Sequence, residues 1–137
     1  MLKIAISGTR KGFNPRQMDK FIDLMKWFNV ISEFHHGDCV GVDQLAHNWV
    51  REFMPPVKII IHPPEDSTYR AFCAGYHEMR PPFKYIRRNR LMVDEVTDVI
   101  IVPDGIVELQ RGSGTWATRR YAIKTQTRMY HLSPEQG

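Results

Sequence analysis

Short apolar runs that stop at glycine or proline alternate along this chain with longer stretches whose apolar residues recur every three or four positions. Few folds accommodate that alternation. Residues 2–7 form an apolar run closed by Gly8, and residues 31–36 a second closed by Gly37. Residues 57–62 are nearly all β-branched before Pro63-Pro64, and residues 98–102 run up to Pro103. Each reads as a buried strand. A last strand is expected over 128–132. Between the first two runs, Asn14-Pro15 looks like an N-cap followed by proline at the first helical position. Met18, Phe21, Ile22, Met25 and Phe28 then give one apolar helical face. A second helix is expected over 43–53 with Leu45, Ala46, Trp49 and Phe53 inward, stopped by Pro55-Pro56. Further helices are expected over 85–96 and 115–125.

Near-continuous apolar strands alternating with helices imply a parallel sheet covered on both faces. The expected fold is α/β: a single Rossmann-like three-layer domain over residues 1–132, with about five mainly parallel strands and a short tail at 133–137. Residues 63–84 form a long polar connection carrying four prolines, with room for a short helix over 69–76. Such a length inside a compact domain points to function or mobility.

Composition sets limits. The chain has 137 residues, 42% hydrophobic and 25% charged, which suits one domain with a core of its own. No apolar run reaches the roughly 18 residues of a membrane helix, and the first residues read as a strand rather than a leader. Cys39 and Cys73 are far apart, in no metal or redox spacing, so a reduced cytoplasmic setting is expected. The net charge of +4 permits a nucleic-acid partner without requiring one.

In open α/β sheets, ligands bind beyond the carboxyl ends of the strands, where strand order reverses. Four segments leave those ends. Ser7-Gly8-Thr9-Arg10-Lys11-Gly12 offers two glycines, a hydroxyl and two cations, either a phosphate loop or a plain turn. Gly37-Asp38-Cys39-Val40-Gly41-Val42-Asp43 runs straight into a helix, where free N–H groups and the dipole suit an anion. Asp43 there accepts a ribose hydroxyl or caps the helix. Arg111-Gly112-Ser113-Gly114-Thr115 enters the last helix as an anion nest, the strongest local signal of these loops. It matches neither the Walker loop nor the dinucleotide fingerprint. Arg87, Arg88 and Arg90 crowd the start of a helix, where cations oppose the macrodipole, so a phosphate or neighbouring acids should compensate. Arg87 and Arg90 share a face, Arg88 is expected to point elsewhere, into solvent or an interface, and Asn89 to reach a base, a phosphate or a loop.

Together these segments resemble the SLOG superfamily of Rossmann-like nucleotide-binding proteins. That group includes the Lonely Guy phosphoribohydrolases and the DNA-processing protein A family, and the resemblance is nearest to its small stand-alone bacterial and phage members. The matching pieces are Ser7-Gly8-Thr9-Arg10, then residues 37–46, then Arg87-Arg88-Asn89-Arg90-Leu91-Met92, then Arg111-Gly112-Ser113-Gly114-Thr115. The resemblance implies a nucleotide or nucleotide-derived ligand held by Gly112, Ser113, Gly114 and Thr115, with contacts from Gly8, Thr9, Gly41, Asp43, Arg87 and Asn89. Arg10, Gly37, Arg90 and Arg111 complete the candidate binding set. It also implies a homo-oligomer. Where Lonely Guy enzymes carry a catalytic glutamate after Gly-Thr, this chain has Thr118, which cannot serve as a carboxylate. No catalytic residue is therefore assigned; Asp43, Glu65, Asp66 and Asp104 are the acids on strand-end loops.

His35 and His36 should point to opposite faces of a strand and not share a metal. His62 fits a structural hydrogen bond and Cys39 an incidental thiol, so no metal and no cofactor are expected. Trp27, Trp49 and most phenylalanines read as core. Tyr69, Phe72, Tyr76 and Phe83 either stack on a base or pack the long connection down. The expectation is a protein that binds a nucleotide or nucleotide-derived signal, as sensor or sequestering agent. An N-glycosidic hydrolase is the first alternative and a nucleic-acid binder the second, with no membrane partner.

Overall fold

A computed structural model describes residues 1–108 and 114–135. Its centre is a six-stranded sheet with every pair parallel. The strands are β1 (Leu2–Gly8), β2 (Ile31–His36), β3 (Lys58–Ile61), β4 (Glu78–Met79), β5 (Asp98–Val102) and β6 (Arg128–His131). Their spatial order is β4-β3-β2-β1-β5-β6. The helices are α1 (Pro15–Trp27), α2 (Val42–Phe53), α3 (Tyr85–Asp94) and α4 (Gly114–Lys124).

The period-2 alternation of the strands sorts the core onto two faces. Ile4, Ile6, Phe34, Ile59, Ile61, Ile100 and Val102 pack against Phe21 and Met25 of α1 and Ala46, Trp49 and Val50 of α2. Ala5, Val99 and Ile101 face the other way, onto Met92 and Val93 of α3 and Ala122 of α4. This is the three-layer α/β architecture expected, with one strand more. β4 pairs only Ile60↔Glu78 and Ile61↔Met79 along the free edge of β3. Two residues carry no alternation to recognise, which is why the sequence hides this strand.

Local signals explain the helix starts. Asn14 accepts from the Gln17 N–H and Gln17 accepts from the Asn14 N–H, a full capping box with Pro15 at the first helical position. At α2 the cap is Gly41, with φ +92° and no side-chain cap bond. A Cβ there would come within 2.5 Å of the Arg10 carbonyl and the Thr9 oxygen, so only glycine fits.

Several expectations are corrected. Leu45 and Phe53 are exposed, and α2 instead buries Val42, Asp43 and His47 beside Ala46, Trp49 and Val50. The inward face of α2 is thus set by its first turn, where polar Asp43 and His47 go inside. Trp27 is 70% exposed, its ring stacked edgewise on Tyr130 at the margin of the sheet. Residues 69–76 form turns rather than a helix. Phe72 and Gly75 take positive φ there, and Asp38 draws the backbone in, accepting from Cys73 N–H through Oδ1. Arg70 pairs with the same carboxylate at 2.8 Å.

Candidate functional site

Strand order reverses at β1: its first crossover runs to β2 on one side, and the chain later returns to β5 on the other. The carboxyl ends of β1, β2 and β5 therefore frame the crevice where such folds bind ligands. The first loop is drawn tightly in. Thr9 N–H donates to Val102 O, and the Thr9 carbonyl accepts from Gly12 and Val42. Gly8 is imposed by packing, since a Cβ would lie 2.5 Å from the Val42 side chain. Arg10 is exposed, its guanidinium 3.6 Å from the centre of the Tyr69 ring.

The second loop is braced from within. Gly37 and Cys39 N–H both donate to Asp43 Oδ2, at 3.1 and 3.3 Å. Asp38 N–H donates to His36 Nδ1, Val40 N–H to Tyr69 O and Val42 N–H to Thr9 O. Five of the N–H groups expected to be free for an anion, those of Gly37, Asp38, Cys39, Val40 and Val42, are thus occupied. Asp43 neither caps α2 nor lies open: it is 5% exposed and holds the loop together through one oxygen. Its other oxygen, Oδ1, is buried with no hydrogen-bond partner among the described residues. Burial raises its pKa to about 6, although Arg88 and the two loop N–H groups pull it down.

The arginines of α3 sort differently from the expectation. Met92 and Val93 face the core, so the helix repeat places Arg88 and Asn89 on the buried side. Arg88 is 6% exposed. Its Nη1 donates to Gly37 O at 2.6 Å and His62 O at 2.9 Å, and its Nε to Asn89 Oδ1 at 2.6 Å. Nη2 has only a 3.9 Å approach to Cys39 Sγ. Arg87 and Arg90 are exposed, lying over the rings of Phe83 and Tyr121. The signal that would have found Arg88 is the spacing Arg88–Met92 and Asn89–Val93.

Tyr85, the first residue of α3, was not singled out from sequence. Its hydroxyl is buried without a partner among the described residues. Arg10 and Arg88 act on both the Tyr85 phenol and the Cys39 thiol, which puts these groups in one neighbourhood. The Cys39 thiol is pushed up to about 11, chiefly by burial, which disfavours its thiolate.

At α4, Gly114 O accepts from Asn89 Nδ2, and Thr115 is buried. A Cβ on Gly114 would meet Asn89 Nδ2 only at 3.5 Å. Arg111, Gly112 and Ser113 lie outside the described residues. Thr118 is fully buried, its hydroxyl donating to Gly114 O at 2.8 Å and meeting Ser7 Oγ at 3.3 Å. Thr118 is thus a sealed brace between helix and sheet.

Two open surface hollows lie among the described residues. One, of about 350 Å³, is lined by His62, Arg80, Phe83, Arg87, Arg88, Leu91 and neighbouring residues, at the side of the crevice. The larger, about 510 Å³, lies between α1 and β6 around Leu24, Trp27 and Tyr130, on residues that hold none of the groups above.

No family model matches the chain, and no curated protein matches it. Among solved structures it is similar to the X-ray structure of TM1055, a structural genomics target, with a TM-score of 0.55 and 14% identity. That likeness covers 96% of this chain and 92% of the other. At such identity it shows the fold alone: a parallel α/β sheet of the Rossmann-like kind.

Proposed function

We propose that this protein binds a nucleotide or nucleotide-derived molecule at the carboxyl ends of β1, β2 and β5, as a member of the SLOG superfamily acting as sensor or sequestering protein. One observation carries the reading. Asp43 Oδ1 and Tyr85 Oη are two buried polar atoms without partners among the described residues, in a crevice that also holds Arg10 and Arg88. Buried polar groups are rarely left unpaired, and a ligand with hydroxyl or amino donors that parts the loops around them would satisfy both. Arg10, Arg87 and the entry to α4, from Arg111 to Thr115, supply the charge and N–H groups for phosphate. Gly8, Gly37 and Gly41 serve by letting the loops approach. A homo-oligomer and a reducing cytoplasmic setting belong to the same reading, the latter in keeping with two unpaired thiols. No described helix is long and apolar enough to cross a membrane.

The N-glycosidic hydrolase reading gains from Asp43. It requires a carboxylate of raised pKa beside the arginine-bearing helix, and Asp43 meets that description. The test is mass spectrometry of small molecules released from purified protein, joined to a thermal-shift screen of nucleosides and nucleotides. Phosphorylated ligands should raise Tm more than nucleosides. Gly114→Leu should abolish the shift with the unliganded Tm nearly unchanged, because the Cβ position is open. Conversion of the ligand to free base and ribose phosphate makes the protein a hydrolase. Neither ligand nor shift overturns both readings.

A further inference from the structure

Two groups of potential metal ligands are present among the described residues: His36, His47 and Cys73, and His35, His62 and Glu95. Proton positions separate them. In the first, Asp38 N–H donates to His36 Nδ1 at 2.9 Å, which fixes the His36 proton on Nε2. That Nε2 meets His47 Nδ1 at 2.8 Å, and His47 Nε2 meets Ala74 O at 2.7 Å. Every ring nitrogen is used with the correct polarity. A metal on His36 Nε2 would force a proton onto Nδ1, against the Asp38 N–H. This group is a neutral structural chain.

In the second group, by contrast, no backbone N–H is bonded to a ring nitrogen among the described residues. His35 Nε2 meets Glu33 Oε1 at 2.8 Å, which places the proton on Nε2 and leaves a lone pair on Nδ1. That lone pair faces His62 Nε2 at 2.8 Å. Glu95 Oε2 lies 3.7 Å from the same His62 nitrogen. A tautomer change at His62 leaves a lone pair on both imidazole nitrogens, and these two atoms and the carboxylate oxygen all lie within 4.8 Å of one another. Zinc–ligand bonds of about 2.0–2.2 Å in a tetrahedron set ligand atoms roughly 3.3 Å apart, and the two observed separations bracket that value. A carboxylate behind the ligating histidine is the usual outer partner of such a site. Here it is Glu33, while Arg80 fixes Glu95 through bonds of 2.8 and 3.0 Å to Oε1 and a longer one of 3.2 Å to Oε2.

We propose that His35 Nδ1, His62 Nε2 and Glu95 Oε2 form a three-ligand site for a divalent, zinc-type cation, with its open position toward the hollow lined by Phe83, Arg87, Arg88 and Leu91. The surrounding arginines make an anion the fitting fourth ligand. The proposal does not depend on nucleotide binding. His35 and His36 still do not share an ion, as their opposite facing requires; the pairing runs across strands, from the end of β2 to the residue after β3.

The test is titration of the metal-free full chain with Co²⁺, read by visible absorption with no nucleotide present. The expected result is a saturable tetrahedral spectrum at one ion per chain. Glu95→Gln should weaken binding at least tenfold, and His62→Gln should abolish it. Glu95 is only partly buried, so its variant keeps the fold, which circular dichroism checks. His47→Gln should leave the spectrum intact. Absence of a spectrum in the unmodified chain overturns the proposal. So does a spectrum that survives Glu95→Gln and His62→Gln, or one lost only in His47→Gln.

Discussion

Asp43 holds a carboxyl group where water does not reach it, and that has a measurable cost. Its pKa lies near 6 in the folded chain against an ordinary value of 3.8. The stabilising contribution of its neutral form is complete below the ordinary value and is lost as pH rises through about 6. At about 1.4 kcal/mol per pH unit, the loss amounts to about 3 kcal/mol. Asp43→Asn, which keeps an acceptor for the Gly37 and Cys39 N–H groups, should remove this loss. Urea titrations at pH 4 and pH 7 should show the variant gaining relative to the parent at the higher pH. An unchanged difference would mean that Asp43 is ionised at little cost. The sequence marks Asp43 as an acid at the start of α2, but its task is set by which N–H groups lie within reach. A pattern of glycines shows that backbone comes close; it does not show whether the visitor is a ligand, or Val42 and Arg88 from the same chain.

α3 is where helix phase decides which arginine goes inside. Its cap, Lys84, makes no side-chain bond, and its first turn holds no acid, so local signals do little for it. Arg88 compensates from inside by tying α3 to the ends of β2 and β3 through the Gly37 and His62 carbonyls. Arg88→Ala leaves both acceptors short of a donor and should cost about 3 kcal/mol. Arg87→Ala removes an exposed side chain and should change stability by less than about 0.5 kcal/mol, while weakening binding of phosphorylated ligands more than of nucleosides. Denaturant midpoints and thermal shifts read the two effects separately; equal stability losses would undo the division of roles. Elements with explicit caps were legible, as Asn14-Pro15 and Gln17 show for α1. Elements defined by their neighbours were not: β4 exists because β3 has a free edge, and the connection before it is shaped by Asp38 rather than by its own residues.

Across the whole molecule, one sheet separates two apolar layers that share its strands. Neither layer can dissolve without exposing the other, so a single cooperative transition is expected in near- and far-ultraviolet circular dichroism alike. Phe21→Ala, at the centre of the larger layer, should lower stability by about 3–5 kcal/mol, shifting the common midpoint down without splitting it. Separate transitions would show that the layers melt independently. The sequence disclosed this architecture because alternation of strand and helix is a property of the entire chain, and small errors at element ends leave it intact.

The order of the strands bears on how the molecule is made. β1 leaves the ribosome before every other strand, yet it lies between β2 and β5. It finds its first neighbour early, while its opposite edge waits until β5 has been synthesised. Throughout that interval the nascent polypeptide carries the middle of its future sheet with one unsatisfied side. A pause in elongation within α3 would lengthen that exposure.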